Sequence, residues 1–342
     1  MTGGAGFLGS MLVAKLLSRG YGVRVLDNLL YGVEPVKPYI LNQKFELFKG
    51  DVRDLNCVVR ALHDVDVVVH LASIVGDQAG DLEPKTTIQI NYLSTKNIAE
   101  LCELYEKRLM YSSSCSVYGD SPRGVMHENI RMDRSINYPK PLSLYGETKL
   151  RSERAIQELT SDYVILRLGT LFGLSNRMRF DLALNLFIAQ ALKGDKITVF
   201  GGDQWRPFLH VQDAADCFVS AIENDWNGIF NCSWENLKII DAVRILQKYL
   251  SVDFTISQDV VDRRNYRISC EKIRSMGFAP QKDIKYAIDE IKACFDKGDI
   301  TDYKLPIYSN YKHLFTSEEV RRKAYVLGPI GETVKNNREQ VP

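Results

Sequence analysis

Three glycines spaced three apart, Gly3, Gly6 and Gly9, stand at the head of an apolar-periodic stretch, Phe7–Arg19, that reads as a helix. The first glycine permits a tight turn, the second lets the backbone approach a pyrophosphate, and the third lets helix and strand pack closely. The start of the helix, at Phe7 and Leu8, adds N–H donors and positive potential. Glycine turns before helices are common, so this pattern needs a second signal. Val23-Arg24-Val25-Leu26-Asp27 supplies it: a short buried strand ends in a carboxylate about 20 residues on, where a dinucleotide ribose is met. A carboxylate there accepts both ribose hydroxyls and repels a 2′-phosphate. Asn28-Leu29-Leu30 follows with no arginine or lysine, so the expected cofactor is NAD rather than NADP.

The rest of the first half continues that design. Phe45–Phe48, Val65–Leu71, Leu109–Ser113 and Tyr163–Leu168 read as strands, and Leu55–Leu62, Tyr92–Lys107 and Gly146–Leu159 as helices. Alternation of this kind predicts an α/β fold, a Rossmann-type doubly wound parallel sheet. Two further strand ends suit the same ligand. Asp51 and Val52 lie where an adenine is expected, and Leu71-Ala72-Ser73 form a small-residue bend over the dinucleotide. His70, taken by itself, reads as a buried core histidine.

After about residue 170 the rhythm changes. A helix over Arg179–Leu192, a strand at Ile197–Phe200 and a helix Val211–Glu223 opened by Asp213 suit a smaller, irregular α/β substrate lobe. The expected organisation is therefore 1–170 for the cofactor, 171–314 for the substrate and 315–342 as a tail. The tail is left open between a free arm and one packed on a partner. The strand that normally leads into such a glycine loop has only Met1 ahead of Thr2. The natural chain is accordingly expected to begin further upstream.

Composition excludes several classes. With 44 basic and 43 acidic residues, net +1, there is no charge-driven affinity for nucleic acid or an anionic membrane. Seven cysteines with no Cys-x-x-Cys or Cys/His cluster imply no metal site and suit reduced thiols, hence a cytoplasmic protein.

Tyr145 and Lys149 lie four residues apart, on one helical face. A phenol is a poor base at neutral pH, but a nearby ammonium and a nicotinamide cation would favour its phenolate and make it a proton acceptor. Upstream, Tyr111-Ser112-Ser113-Ser114-Cys115-Ser116-Val117-Tyr118 ends a strand in hydroxyls that could polarise a carbonyl or alcohol oxygen. Either feature alone is ordinary.

Together, in this order and spacing, they resemble the extended short-chain dehydrogenase/reductase family, and within it the nucleotide-sugar epimerases, dehydratases and reductases. The resemblance runs from Thr2 to about Ala293. In the second half it includes Leu166-Arg167-Leu168-Gly169-Thr170-Leu171-Phe172-Gly173 and Arg206-Pro207-Phe208-Leu209-His210-Val211-Gln212-Asp213. It implies that Ser114 holds the substrate hydroxyl, that Tyr145 is the acid/base, and that Lys149 binds the nicotinamide ribose. It also implies Asn91 near the cofactor, Thr170 beside the substrate, and Asn185 and Arg206 on a nucleotide diphosphate. Arg264 and Arg267 are weaker candidates for the same diphosphate.

The implied partner is a nucleotide-diphosphate sugar. Dehydratases of the group carry an Asp-Glu pair directly after the serine, whereas this chain has Cys115-Ser116, leaving simple redox at one carbon. A 4-epimerase working at sugar C4 through a 4-keto intermediate is the leading expectation. A one-way 4-ketoreductase, a C4 dehydrogenase and a non-catalytic dinucleotide sensor remain alternatives. The stretch Arg177-Met178-Arg179-Phe180-Asp181-Leu182 resembles a subgroup containing one-way enzymes. A homodimer joined by Tyr92–Lys107 and Gly146–Leu159 is also expected.

Overall fold

The chain is described by a computed structural model over residues 1–129, 140–259, 262–325 and 332–333. The main sheet has parallel strands in the spatial order Phe45–Lys49, Val23–Asp27, Val67–His70, Arg108–Ser114, Tyr163–Leu168 and Gly228–Cys232. Because side chains alternate along a strand, the two faces fill separate cores. Val25, Val69, Met110 and Leu166 pack with helices Phe7–Ser18 and Val211–Glu223. Leu26, Val68, Leu109 and Ile165 pack with helices Leu55–Leu62, Ser94–Leu104 and Leu144–Leu159. This is the doubly wound α/β fold that the sequence predicts.

Met1 and Thr2 occupy the place of the strand expected ahead of the glycine loop. Thr2 bridges Leu26 on one side and His70 on the other. Thr2 N donates to Val69 O at 2.9 Å, Gly3 N to Leu26 O at 3.0 Å, and Leu26 N to Met1 O at 2.8 Å. Two residues thus join the halves of the sheet.

Smaller ladders cover the carboxyl edge. Thr170–Phe172, Trp205–His210 and Glu235–Lys238 form one; Ile197–Phe200 pairs with Phe254–Ser257, and Asp120–Met126 with Asn265–Ile268. Several element edges differ from expectation for local reasons. The helix expected at Arg179 starts at Ala183, because Leu182 is extended and the carbonyl of Arg179 is taken by the Asn185 amide. Helix Val211–Glu223 is capped by His210, whose Nδ1 accepts from Gln212 N. Asp213, expected to open that helix, instead accepts from Gln281 N, Lys282 N and Lys282 Nζ. The helix expected from Tyr92 begins earlier, at Pro84, and passes through a wide π turn at Gln89–Leu93.

Residue 315, the expected start of a tail, lies inside helix Asn310–Thr316. With helix Glu318–Tyr325 it returns to the first half and buries Leu314 and Ala324 in its core. Glu332–Thr333 adds an antiparallel edge to Phe45–Lys49. The remainder of that stretch lies outside the described residues. Among the described residues no helix is long and apolar enough to cross a membrane, and no group of three or more His, Cys, Asp or Glu is placed to hold a metal.

Candidate active site

A cleft of about 960 Å3 runs along the carboxyl ends of the strands, the position where ligands bind in open α/β sheets. At one end Gly3, Gly6, Phe7, Leu8, Gly9, Asp27, Asn28, Asp51, Val52, Leu71, Ala72 and Ser73 all form its wall. Gly3 and Gly9 are sterically required. Gly3 has φ +71°, and a Cβ there would meet Ala72 N at 2.7 Å; one on Gly9 would sit 2.2 Å from Gly3 O. Gly6 caps the first helix without a side chain, so the first-turn N–H groups keep no partner of their own.

Asp27 accepts from Ala5 N at 3.0 Å and Leu29 N at 2.8 Å, one bond on each oxygen. Each oxygen keeps lone-pair capacity for a ribose hydroxyl. Burial pushes this carboxyl up, against the two backbone donors that pull it down. Free amides and a half-buried carboxylate with spare acceptors fit the pyrophosphate and ribose diol of NAD. Asp51 also lines the cleft, with Arg53 donating to both of its oxygens, at 2.9 and 2.7 Å.

At the reacting end, helix Leu144–Leu159 starts where the Ser143 hydroxyl accepts from Gly146 N. Tyr145, Lys149 and Glu153 then follow at four-residue spacing. Tyr145 is 9% exposed and Lys149 3%, and both face the cleft with Ser112, Ser113, Ser114 and Ser116. Burial holds the Tyr145 phenol above its ordinary range, while a hydrogen bond with Ser114 and the charge of Arg179 pull it down. Burial also lowers Lys149 to about 7, opposed by Glu153. The ammonium donates to Ser112 O at 2.8 Å and sits 5.8 Å from the Tyr145 ring centroid.

Behind these residues lies a buried network. Ser113 donates to Glu153, Glu153 pairs with Arg167 at 2.7 Å, and Arg167 donates to the Tyr118 hydroxyl, which donates to Asn231. Removing either charge of such a buried pair costs about 3–5 kcal/mol. Cys115 is buried, its thiol pushed far up by desolvation and donating to Arg167 O, so it is no second acid.

The far end is built from ion pairs. Arg206 pairs with Asp262 at 2.6 Å, and Arg264 with Asp262 at 2.7 Å and Asp77 at 3.2 Å. Although burial opposes it, Arg264 and Arg206 hold the Asp262 carboxyl down at about 2. Arg179 forks onto Asp181 at 2.8 and 3.0 Å, and Arg177 stacks 3.7 Å above the Tyr31 ring. Thr170, Arg206 and Arg264, three of the residues the sequence offers for the substrate, line this end.

Three sequence candidates do not line the cleft. Asn91, on the π turn, accepts from Ile74 N at 2.8 Å and donates to Ile74 O at 2.9 Å, so it props a cleft residue instead of facing the ligand. Asn185 is fully buried and clamps Gly173 and the carbonyl of Arg179. Arg267 stacks over Trp205. His70 is the satisfied core histidine expected, bonded to Thr2 and Thr95 and pushed down to about 3 by burial. Sequence reasoning gave no role to Tyr31, Asp77, Asp181, Asp262, Tyr266 or Asn310. For Arg177 and Arg179 the signal was present in the Arg177–Leu182 stretch, but not their role.

The chain is similar to known proteins. The model of the NAD dependent epimerase/dehydratase family matches residues 1–233. A Methanocaldococcus jannaschii protein named provisionally as a UDP-glucose 4-epimerase is 30% identical over 307 residues, covering 85% of this chain and 96% of that protein. UDP-glucuronic acid decarboxylase 1 of Arabidopsis thaliana is 34% identical over 241 residues, 68% of this chain and 53% of the plant protein, so the chain spans about half of that relative. Among solved structures, a UDP-glucuronic acid 4-epimerase from Bacillus cereus, in complex with UDP-glucuronic acid and NAD, superposes with a TM-score of 0.73. It is 26% identical, with 86% of this chain and 98% of that chain covered. The chain belongs to the NAD-dependent epimerase/dehydratase family, whose cofactor is NAD.

Proposed function

We propose that this protein is a nucleotide-sugar epimerase that works at the sugar C4 through a 4-keto sugar, with Tyr145 as acid and base. One observation carries the reading: every carboxylate lining the cleft among the described residues already has a backbone or arginine partner on at least one oxygen. Asp27 is held by backbone N–H groups, Asp51 by Arg53, Asp77 by Arg264, Asp181 by Arg179, and Asp262 by Arg206 and Arg264. The two residues after Ser114 are a buried thiol and a serine. That leaves Tyr145, beside Lys149, to move protons at the reacting end, which suits redox at one carbon without elimination.

NAD, when bound, supplies a hydride acceptor and returns the hydride. Ser114 orients the reacting oxygen, and Tyr145 takes the hydroxyl proton as the carbonyl forms. It gives the proton back when the ketone is reduced on its other face. Ser114 and Arg179 favour the phenolate against burial. Arg206 and Arg264 suit a nucleotide diphosphate, because guanidinium forks match phosphate oxygens. Relatives and neighbours named for UDP-glucose and UDP-glucuronic acid support a UDP-sugar.

A decarboxylase of a nucleotide uronic acid is the second reading, favoured by the 34% identity to a plant decarboxylase. It uses the same C4 oxidation. The homodimer belongs to the proposal as well. Leu93, Leu104 and Tyr105 are exposed beside helix Ser94–Leu104, but the outward face of helix Leu144–Leu159 is polar, at Arg151, Arg154, Gln157 and Glu158.

The test is to supply UDP-glucose or UDP-glucuronic acid to the NAD-loaded protein, following sugar protons by NMR and absorbance at 340 nm. An epimerase interconverts 4-epimers with flat absorbance. Net NADH change without epimers would replace it by a one-way oxidoreductase, and a pentose product by the decarboxylase.

A further inference from the structure

Buried polar atoms without a protein partner are costly, about 1–3 kcal/mol each, unless a ligand supplies the missing bond. Three of them gather on one patch of the cleft wall: Asn310 Oδ1, Arg177 Nε and Asp77 Oδ1. The patch is assembled from three distant segments. Asn310 Nδ2 donates to Val75 O at 3.0 Å, and Asn310 N donates to Asp181 Oδ2 at 2.8 Å. Arg177 donates to Ile307 O at 3.4 Å.

The Val75 bond also settles which way the Asn310 amide points. A carbonyl needs a donor, so Nδ2 faces Val75 and Oδ1 is left as an acceptor. Asn310 is 5% exposed, so bulk water does not satisfy it. It belongs to helix Asn310–Thr316, well beyond residue 233, where the family model stops.

An acceptor at Asn310, a donor at Arg177 and an acceptor at Asp77 complement hydroxyl groups next to an anionic oxygen. We infer that Asn310, Arg177 and Asp77 form a subsite for a sugar- or ribose-phosphate moiety, one wall of which is supplied by the C-terminal helix. Asn310 Oδ1 accepts a ligand hydroxyl, and Arg177 Nε donates to a phosphate oxygen. That moiety belongs either to the cofactor or to the nucleotide sugar. The second case rests on the function proposed above, whereas the first does not.

Calorimetric titration separates these sources. NAD is titrated into the free protein, and UDP-glucose or UDP-glucuronic acid into the NAD-saturated protein. Asn310→Ala should weaken one of the two arms about 5-fold, the size of one hydrogen bond. Loss confined to NAD assigns the hydroxyl to the cofactor ribose, and the subsite then stands even if no sugar nucleotide is turned over. Loss confined to the sugar nucleotide assigns it to the substrate. Thr316→Ala is the structural control. It removes a bond within the same helix, from Thr316 Oγ1 to Lys312 O at 2.7 Å, at an exposed residue that does not line the cleft, and should change neither arm by more than 2-fold. Arg177→Lys, which keeps the charge but loses Nε, should weaken the same arm as Asn310→Ala and covers the case in which that variant does not fold. Unchanged affinities in the folded variants, or a loss reproduced by Thr316→Ala, would overturn the inference.

Discussion

The two ends of the cleft are built on different principles. The cofactor end is steric and local: glycines without room for a Cβ, a helix start with free amides, and one carboxylate at a strand end. The far end is electrostatic and assembled from afar. Arg177, Arg179, Arg206 and Arg264 are drawn together with Asp77, Asp181 and Asp262 from segments far apart in the chain. The first end is shaped by its backbone. At the second, under the proposed function, each arginine already engaged by an aspartate would share its donors with an incoming phosphate.

Substitutions should separate the two ends, and the largest effect is expected from sterics. Gly9→Val drives side-chain atoms into the backbone of Gly3 and Gly4, beyond the roughly 1–3 kcal/mol of ordinary overpacking. NAD binding should be lost and the melting temperature should fall sharply, as read by calorimetry. Near-native NAD affinity would mean that the close approach does not matter. Next, Tyr145→Phe should keep NAD binding but lose at least ~10²-fold in turnover, the low end for general acid–base catalysis. Stopped-flow rates near wild type would remove Tyr145 from its role.

A smaller loss is expected at the electrostatic end. Arg206→Met should weaken a UDP-sugar ~10-fold or more, the range for a hydrogen bond to a charged group, and leave NAD affinity unchanged. Equal loss of both ligands would show that the ends are not independent.

The smallest effect concerns Lys149, which sits between them. Its value is about 7 when folded and 10.5 when free, so the unfolded chain binds more proton between those values. The wild type therefore gains stability as pH rises through that window. Lys149→Met should melt higher than wild type near pH 7 and lose that advantage by about pH 10.5. A pH-independent difference in melting temperature would contradict the buried, destabilised ammonium.

What the sequence revealed follows the same division. Gly3, Gly6, Gly9 and Asp27 were legible because each position tolerates few residue types at fixed spacing. Tyr145 and Lys149 were legible because one helical turn sets their relation. Asn185 and Arg267 misled, since a polar side chain in the right segment does not say which way it points. Asn185 turns inward to clamp Gly173, and Arg267 lies on Trp205. Asp213 was read as a cap although it anchors the backbone near Lys282. The Arg264–Asp77 pair and the arrival of Asn310 depend on contacts between residues more than a hundred positions apart, and no local pattern announces them.

The central claim is that Tyr145 is the proton-transfer group at the reacting end and that the chemistry stays on one carbon. Turnover in heavy water tests it most directly, with a nucleotide sugar that the enzyme interconverts and NMR of both epimers at equilibrium. The hydride comes from the substrate and returns to it, and Tyr145 exchanges protons only with oxygen. The account predicts no carbon-bound deuterium in either epimer. Deuterium at C3 or C5 would show a second proton transfer beside the ketone, and would contradict the account.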